Sequence, residues 1–330
     1  MPNVYTLADY VQALKDDIER QALSDLLEGE DWLQRFPVRE VNGLQAAVRV
    51  RTSLPQVGYR RIGEAFPQVT KGDRRMETYE LIEVGGVIDI DIAYREIPES
   101  ALDYNPVQED LDDVLRATRW QLRDLIFNGD RTANEKTFDG IKVWANRAAN
   151  SDQVVDAGGL DISPTATNLE TNLKRLMDFL DDAIDRVDGH EADIIFVSRL
   201  AFLRLQAISR QVPNLFPVGE NKLELRVPSY HGAAIVRAGH KPGGKKTTDA
   251  QIIADSNESG PGTGTDIYVV RLANTGTHGV RLLARGGPKL EELGRDPTNG
   301  VTWRWVFRWP VGLEIKGLRP LARIKNVKVA

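Results

Sequence analysis

No cysteine occurs in the 330 residues of this chain. Disulfides, thiolate nucleophiles and cysteine-bound zinc are therefore excluded, and a reducing interior suits the composition. Histidine is almost as scarce, with only His190, His231, His240 and His278. None of them stands in a His-x-x-x-His or His-Glu-x-x-His spacing, so a histidine-based zinc site has no local support. All four read as loop or surface residues. No Gly-x-Ser-x-Gly elbow appears, and four histidines do not single out a catalytic triad. No run approaches ~18 consecutive apolar residues, so no membrane span is expected. The N-terminus has no basic region followed by an apolar block, so no secretory signal is expected either. A cytoplasmic protein, kept there until assembled or released, is the reading that remains. No internal repeat of roughly 20–50 residues is visible.

Charge, by contrast, is plentiful and of mixed sign, which suits a soluble folded protein. The net charge of -5 carries no global nucleic-acid signature. The sign is uneven along the chain. Asp9, Asp16, Asp17, Glu19, Asp25, Glu28 and Glu30 make the first segment acidic, while Arg304, Arg308, Lys316, Arg319, Arg323, Lys325 and Lys328 make the last one basic. Two solvated faces or a head-to-tail electrostatic contact would both account for this. The length permits a large core and two or three compact units.

Thr6 to Leu27 reads as an amphipathic helix, with Thr6 as cap and Gly29 as stop. Trp32, Leu33 and Phe36 follow as an apolar knot. Ala46 to Arg51 reads as a strand. Leu54 to Glu77 carries Pro55, Gly58, Gly63, Pro67 and Gly72 among Arg60, Arg61, Lys71, Arg74 and Arg75, which is turn chemistry plus positive charge. Ile88, Ile90, Ile92 and Tyr94 then alternate with Asp89, Asp91 and Ala93, the period of a strand with one buried face. The whole stretch from Ala46 to Glu96 reads as a long hairpin whose tip leaves the body. A loop of that length without its own core is usually functional.

Pro106 to Phe127 is the clearest helix, capped by Asn105 or Asp103 with proline in its first turn. Acidic residues open it, arginines follow, and Leu111, Val114, Leu115, Thr118, Leu122, Leu125 and Ile126 share one face. At ~1.5 Å per residue it is about 33 Å long. A second helix runs from about Leu169 to Val187, capped by Thr167 or Asn168. Asp193 to Ser198 reads as a short buried strand and Arg199 to Ser209 as a helix. Leu223–Val227, Ala233–Arg237, Gln251–Ala254 and Ile267–Arg271 read as strands, with flexible loops at Lys241–Lys246 and Asp255–Thr265. Gly300 to Val329 reads as long strands, in which Trp303, Trp305, Phe307 and Trp309 alternate with Thr302, Arg304, Val306 and Arg308.

Four local patterns imitate known chemistry. Gly239 to Lys245 follows a strand as a phosphate-binding loop does, but Lys246 stands where Ser or Thr must hold magnesium, and no amphipathic helix follows. An exposed hairpin loop is the preferred reading. Gly260, Gly262 and Gly264 precede a strand rather than follow one, which marks a linker. Asp181, Asp182, Asp185 and Asp188 read as a solvated helix face rather than a cation site. The Trp-Arg alternation after Gly300 has the ingredients of base stacking, but strict alternation sends aromatics to the core and arginines outward.

The order of these segments resembles that of the major capsid proteins of tailed bacteriophages, the Hong Kong 97-type fold. Ala46–Glu96 is similar to the extended loop of that family and Pro106–Phe127 to its spine helix. Phe127-Asn-Gly-Asp130 with Phe138-Asp-Gly-Ile141 is similar to the glycine-marked turn after the spine helix. Asp193–Ser198 with the following helix resembles the entry to the axial domain, and Pro228-Ser-Tyr-His-Gly232 with Ala233–Val236 a later turn and strand. The resemblance covers nearly the full chain. It implies an α+β fold with an N-terminal arm (1–45), an extended β-hairpin loop (46–96), a peripheral domain with the spine helix (97–190), an axial α/β domain (191–299) and C-terminal strands returning to the core (300–330).

The same resemblance implies a non-enzymatic shell protein without cofactor or metal. Hexamers and pentamers would close an icosahedral container around double-stranded DNA, held non-specifically, in a virion assembled in a host cytoplasm. The implied partners are further copies of the chain, a portal protein, a separate scaffolding protein and, where one binds, a decoration protein; no membrane is involved. Met1–Glu30 is too short for a built-in scaffolding domain. Arg60, Arg61, Lys71, Arg74 and Arg75 are the expected contacts of the extended loop with a neighbouring copy, and Trp32 and Phe36 those of the N-terminal arm. An encapsulin-like bacterial nanocompartment, which shares the fold, is the alternative; a nucleotide-binding or hydrolytic enzyme is a third reading, with no constellation of residues to support it. Substituting both Arg74 and Arg75 by Glu is expected to impair assembly and leave the monomer fold intact. Shells of normal yield from that variant, seen by electron microscopy, would refute the role given to these arginines.

Overall fold

A computed structural model describes residues 4–14, 20, 24, 31–51, 53–69, 71–93, 106–211, 216, 218–220, 226–241, 251–255, 264–273, 278–298, 300–317 and 319–329. At its centre is a seven-stranded mixed sheet in the order β6 (Val154–Asp161), β15 (Leu321–Lys328), β11 (Thr265–Val270), β7 (Ile194–Val197), β10 (Ala233–Arg237), β9 (Arg226–Tyr230) and β8 (Val218–Glu220). The β7–β10 and β6–β15 pairs are parallel. The central strands are apolar on both faces, because both faces are covered. Ile195, Val197, Ala233, Ile235, Ile267 and Val269 point into one core cluster, and Ile194, Phe196, Ala234, Val236, Tyr268 and Val270 into the other. Successive strand residues face opposite ways, so one strand serves two cores.

Helices α5 (Leu169–Asp185) and α6 (Arg199–Gln211) cover the first face. Leu173, Leu176, Leu180 and Ile184 recur at helical spacing in α5, as do Ala201, Phe202, Leu205 and Ile208 in α6. Each of the Leu, Ile and Phe side chains among them contributes about 1.5–3 kcal/mol when fully buried. The start of α6 is capped from a distance: Asp255 Oδ1 accepts the Leu200 N–H at 2.9 Å. Between β6 and β15, Lys328 pairs with Asp161 at 2.8 Å and Lys325 with Asp156 at 3.1 Å, in the register of the strands. Burial alone would raise Asp161. Its hydrogen bonds from Lys328 and Ser163 outweigh that and hold it at about 2.

The second face carries α3 (Pro106–Asn128), the N-terminal segment and a second sheet. That sheet has six strands: β1 (Val4–Thr6), β2 (Pro37–Glu40), β12 (Gly279–Ala284), β14 (Thr302–Lys316) and β13 (Lys289–Arg295), with β5 (Ile82–Asp91) also paired to β14. Phe307, Trp309, Val311, Leu313 and Ile315 of β14 alternate into the shared core. Leu115, Leu122, Leu125, Ile126 and Phe127 supply the inward stripe of α3. At its end the chain turns back through a close backbone approach. The Gly140 N–H reaches the Gly129 carbonyl at 2.8 Å. A Cβ on Gly129 would lie 2.3 Å from the Phe138 carbonyl oxygen, and one on Gly140 2.8 Å from that of Phe127. Gly140 then occupies the cap of α4 (Ile141–Asn146).

Several expected elements need correction. The N-terminal helix does not run unbroken from Thr6 to Leu27: α1 spans Leu7–Ala13, capped by a Thr6–Asp9 box, and Leu14 is extended. Its later stripe residues Ile18, Leu23 and Leu26 lie outside the described residues, as do the caps expected at Asp103 and Asn105 and the strand start at Leu223. Asn168 takes the N-cap position of α5 but makes no side-chain cap bond. Gln251–Ala254 forms no strand, only a bridge from Gln251 to His240. The expected domain boundaries do not separate the sheets. β6 and α5, expected in the 97–190 domain, pack with β7 and β10, while β12 and β13, expected in 191–299, pair with β14. The two C-terminal strands go to different sheets.

Gly129→Ala is expected to destabilise the fold by roughly 1–3 kcal/mol, since the new methyl group meets two carbonyl oxygens in a packed turn. Urea unfolding followed by tryptophan fluorescence checks this; an unchanged midpoint would show that the turn can open without cost.

Candidate subunit interface

Two strands, β3 (Gln45–Arg51) and β4 (Arg74–Glu80), pair antiparallel from Gln45–Glu80 at the root to Arg51–Arg74 at the outer end. They form a two-stranded sheet of their own, bonded to the body at the root. There the Leu81 N–H donates to the Leu44 carbonyl at 2.9 Å. The Tyr79 hydroxyl lies 2.7 Å from the Ile315 carbonyl and 2.8 Å from Glu77 Oε2. Burial, reinforced by the charge of Glu77, pushes that phenol above the ordinary tyrosine range. Arg131 clasps Glu80 at 2.7 Å from the turn after α3. Gly312 of β14 leaves the space, since a Cβ there would stand 2.8 Å from the Glu80 carbonyl oxygen.

The return strand of this arm is β4, not the alternating Ile88–Tyr94 stretch expected for it. Ile88 and Ile90 belong to β5, which pairs with β14 in the body. Arg74 and Arg75 therefore sit on a strand, while Arg60, Arg61 and Lys71 lie in the tip between the strands. All five are exposed.

The tip is built, although it has no core. Ser53 Oγ accepts the Asp73 N–H at 2.9 Å and closes its base. A turn over Arg61–Glu64 is held by the Glu64 N–H on the Arg61 carbonyl at 3.1 Å, with Gly63 at φ 98°. The Arg60 guanidinium lies 4.2 Å over the Phe66 ring and donates to the Glu64 carbonyl at 2.9 Å. Around this knuckle Leu54, Val57, Tyr59, Ile62, Phe66 and Val69 are exposed, Tyr59 and Ile62 completely. Large exposed apolar residues gathered in one short segment, interspersed with cations, mark a candidate interaction site.

Trp32 and Phe36 are placed elsewhere. They are 5% and 0% exposed in the chain's own core. The Trp32 ring stands 5.0 Å from Phe196 of β7 and 6.1 Å from Phe36, and Phe127 of α3 stands 4.9 Å from the same Phe196, all edge to face. Rings consumed in this knot offer no surface to a neighbour, so the contact expected of them is corrected.

Beneath β4 lies a cleft of about 740 Å³, lined by Arg75, Glu77, Trp144, Arg147, Asp152 and Arg319 among others. Its charges are engaged with one another or with nearby groups: Arg319 with Asp152 at 3.4 Å, Arg147 with Asp139 at 2.8 Å. Among the described residues no imidazole lines it. Asp181 accepts the Tyr230 hydroxyl at 2.7 Å and faces His231, and Asp182 pairs with Arg186, so the acidic end of α5 is engaged in local contacts. Of the Gly239–Lys245 loop, only Gly239 to Lys241 lies within the described residues. In β14, Phe307 and Trp309 are buried while Trp303 and Trp305 are half-buried. Arg304 grips Asp89 of β5 through two bonds of 2.7 and 2.9 Å and reaches Asp296 at 3.1 Å. These arginines stitch strands together.

The fold is similar to that of solved capsid structures. An encapsulin complex from Synechococcus elongatus aligns over 91% of this chain and 89% of its own, with a TM-score of 0.61 and 16% identity. The capsid of a native GTA particle aligns over 88% and 87% with a TM-score of 0.58 and 14% identity. A chain of Mycobacterium phage Bobi aligns over 90% of both, with a TM-score of 0.56 and 14% identity. The chain has the Hong Kong 97-type capsid fold. No family model and no curated protein matches it by sequence.

On this capsid fold, the six exposed apolar residues of the arm tip are what sequence reading missed. They were present as Leu54, Val57, Tyr59, Ile62, Phe66 and Val69 in a segment whose glycines and prolines forbade any regular element. A run of large apolar residues inside turn chemistry was the available signal. Trypsin is expected to cut the free subunit after Arg60 and Arg61, and to do so at least ~10-fold more slowly once copies have assembled. Mass spectrometry of the early fragments reads this directly; equal rates in both states would remove the tip from the interface.

Proposed function

We propose that this chain is a shell protein, the major capsid protein of a tailed phage, whose copies join as hexamers and pentamers around double-stranded DNA. The observation that carries the reading is the arm, a strand-paired element on a capsid fold whose apolar, cationic tip is exposed among the described residues. A surface that differs from the one it meets makes heterologous contacts, and such contacts close into rings where the rotation between copies closes. Many weak contacts of this kind add up through multivalency. In this reading the β3–β4 arm is the extended loop and α3 the spine helix. Arg60, Arg61, Lys71, Arg74 and Arg75 face a neighbouring copy. A separate scaffolding protein, a portal protein and, where one binds, a decoration protein complete the assembly, in a host cytoplasm and then the virion. The role is structural rather than enzymatic.

A bacterial nanocompartment is the second reading, favoured by the likeness to the Synechococcus encapsulin complex. Fold alone does not divide the two, because function lies in what the shell encloses. Purified protein, expressed alone and with a candidate scaffolding protein, is expected to give closed shells or hexamer rings by negative-stain electron microscopy. Nucleic acid inside supports the phage reading and an enzyme inside the nanocompartment. A monomer or dimer in both preparations would overturn the shell function.

A further inference from the structure

On the side of the six-stranded sheet that faces away from the core, three cations gather around one carboxylate. Arg281 of β12 lies directly opposite Glu314 of β14 and grips it through two bonds of 3.0 and 2.8 Å. Arg39 of β2 reaches the same carboxylate at 3.2 Å. Lys316, two residues beyond Glu314 and so on the same face, stands opposite Gly279, which has no side chain to meet it. Glu314 is fully buried and Arg281 nearly so. Arg39 and Lys316 form the rim, and the Arg39 side chain keeps 23% of its surface in solvent.

One carboxylate leaves two positive charges in surplus. Among the described residues the Lys316 ammonium has no ion pair or hydrogen bond, and the buried Nε of Arg39 has no acceptor. Burial holds Lys316 below the ordinary lysine value; Glu314 opposes this, and Arg281 and Arg39 add to it. Like charges held together in a partly desolvated place repel far more strongly than in water. Leaving donors there without acceptors adds a further cost. A group that supplies two negative charges and several acceptor oxygens would relieve both.

We propose that Arg39, Lys316 and Arg281, on their base of Glu314, form a binding site for a small divalent oxyanion of the phosphate or sulfate type. The Arg39 guanidinium gives Nη1 to Glu314 and keeps further donors for an oxyanion at the partly exposed rim, and Lys316 adds a point charge. The site adjoins the root of the arm, since the Tyr79 hydroxyl is bonded to the carbonyl of Ile315, between Glu314 and Lys316. It is independent of what a shell of this protein encloses.

The test is thermal unfolding of the full chain in phosphate against chloride at equal ionic strength, with Lys316→Met and Arg39→Met as variants. Both leave the Arg281–Glu314 pair intact. The wild type is expected to show a saturable rise in Tm with inorganic phosphate. Both variants are expected to lose that rise, and Lys316→Met to melt no lower than wild type in chloride, because it removes an unrelieved charge. Equal phosphate responses in all three proteins would overturn the site, as would a response only to a short DNA duplex and none to the free ion.

Discussion

The structure depends most on one strand. β14 runs for fifteen residues, from Thr302 to Lys316, and its register fixes the position of almost everything around it. Gly279 to Ala284 descend along Lys316 to Val311, and Lys289 to Arg295 continue the descent along Arg308 to Trp303. Ile82 to Asp91 pair with Val311 to Thr302. A slip of one residue would turn Phe307, Trp309 and Leu313 out of the core and bring Arg304, Arg308 and Glu314 into it. The strong alternation of this strand therefore specifies a single register. The arm depends on the same register, because its root is bonded to Ile315 and passes over Gly312.

The two sheets meet around the aromatic knot of Trp32, Phe36, Phe127, Phe196 and Tyr268. These residues come from the N-terminal segment, the end of α3 and two central strands of the other sheet. Close packing at this point makes the body one unit, and it draws in a terminal segment that would otherwise have been free to lie elsewhere. The body thus buries most of its large apolar side chains. The arm differs between stem and tip: Ala46, Val48 and Val50 of β3 are buried, whereas the large apolar side chains of the tip are exposed. Strand pairing in the stem limits the freedom that association must remove, which lowers its entropic cost.

Much of this was legible in the sequence where the signal is local. α3 was found to within one residue of its end, because proline, early acids and a helical apolar stripe agree. β10 was found at its exact bounds, and α5, α6 and β7 to within a few residues. Strands β2, β6, β12 and β13 went unread. β2 and β12 are short and mostly buried, without the period of two; β6 and β13 are broken by glycines at 158, 159 and 294, with a bulge in the β13 pairing. The arm was read as a hairpin, but its return strand was misplaced, since Arg74 and Arg75 looked like tip charge and the clean alternation of β5 looked like a hairpin partner.

Local sequence is enough to place the helices, the alternating strands, the glycine-marked turn after α3 and a long hairpin. It is enough because propensity, capping and periodicity act over a few residues. Which sheet each strand joins, the inward facing of Trp32 and Phe36 and the exposure of the apolar residues of the arm tip follow from long-range packing alone. The same packing gathers Arg39, Arg281, Glu314 and Lys316, which are separated by up to 277 positions. Such contacts depend on chain topology and close packing across distant segments, and no local pattern encodes them.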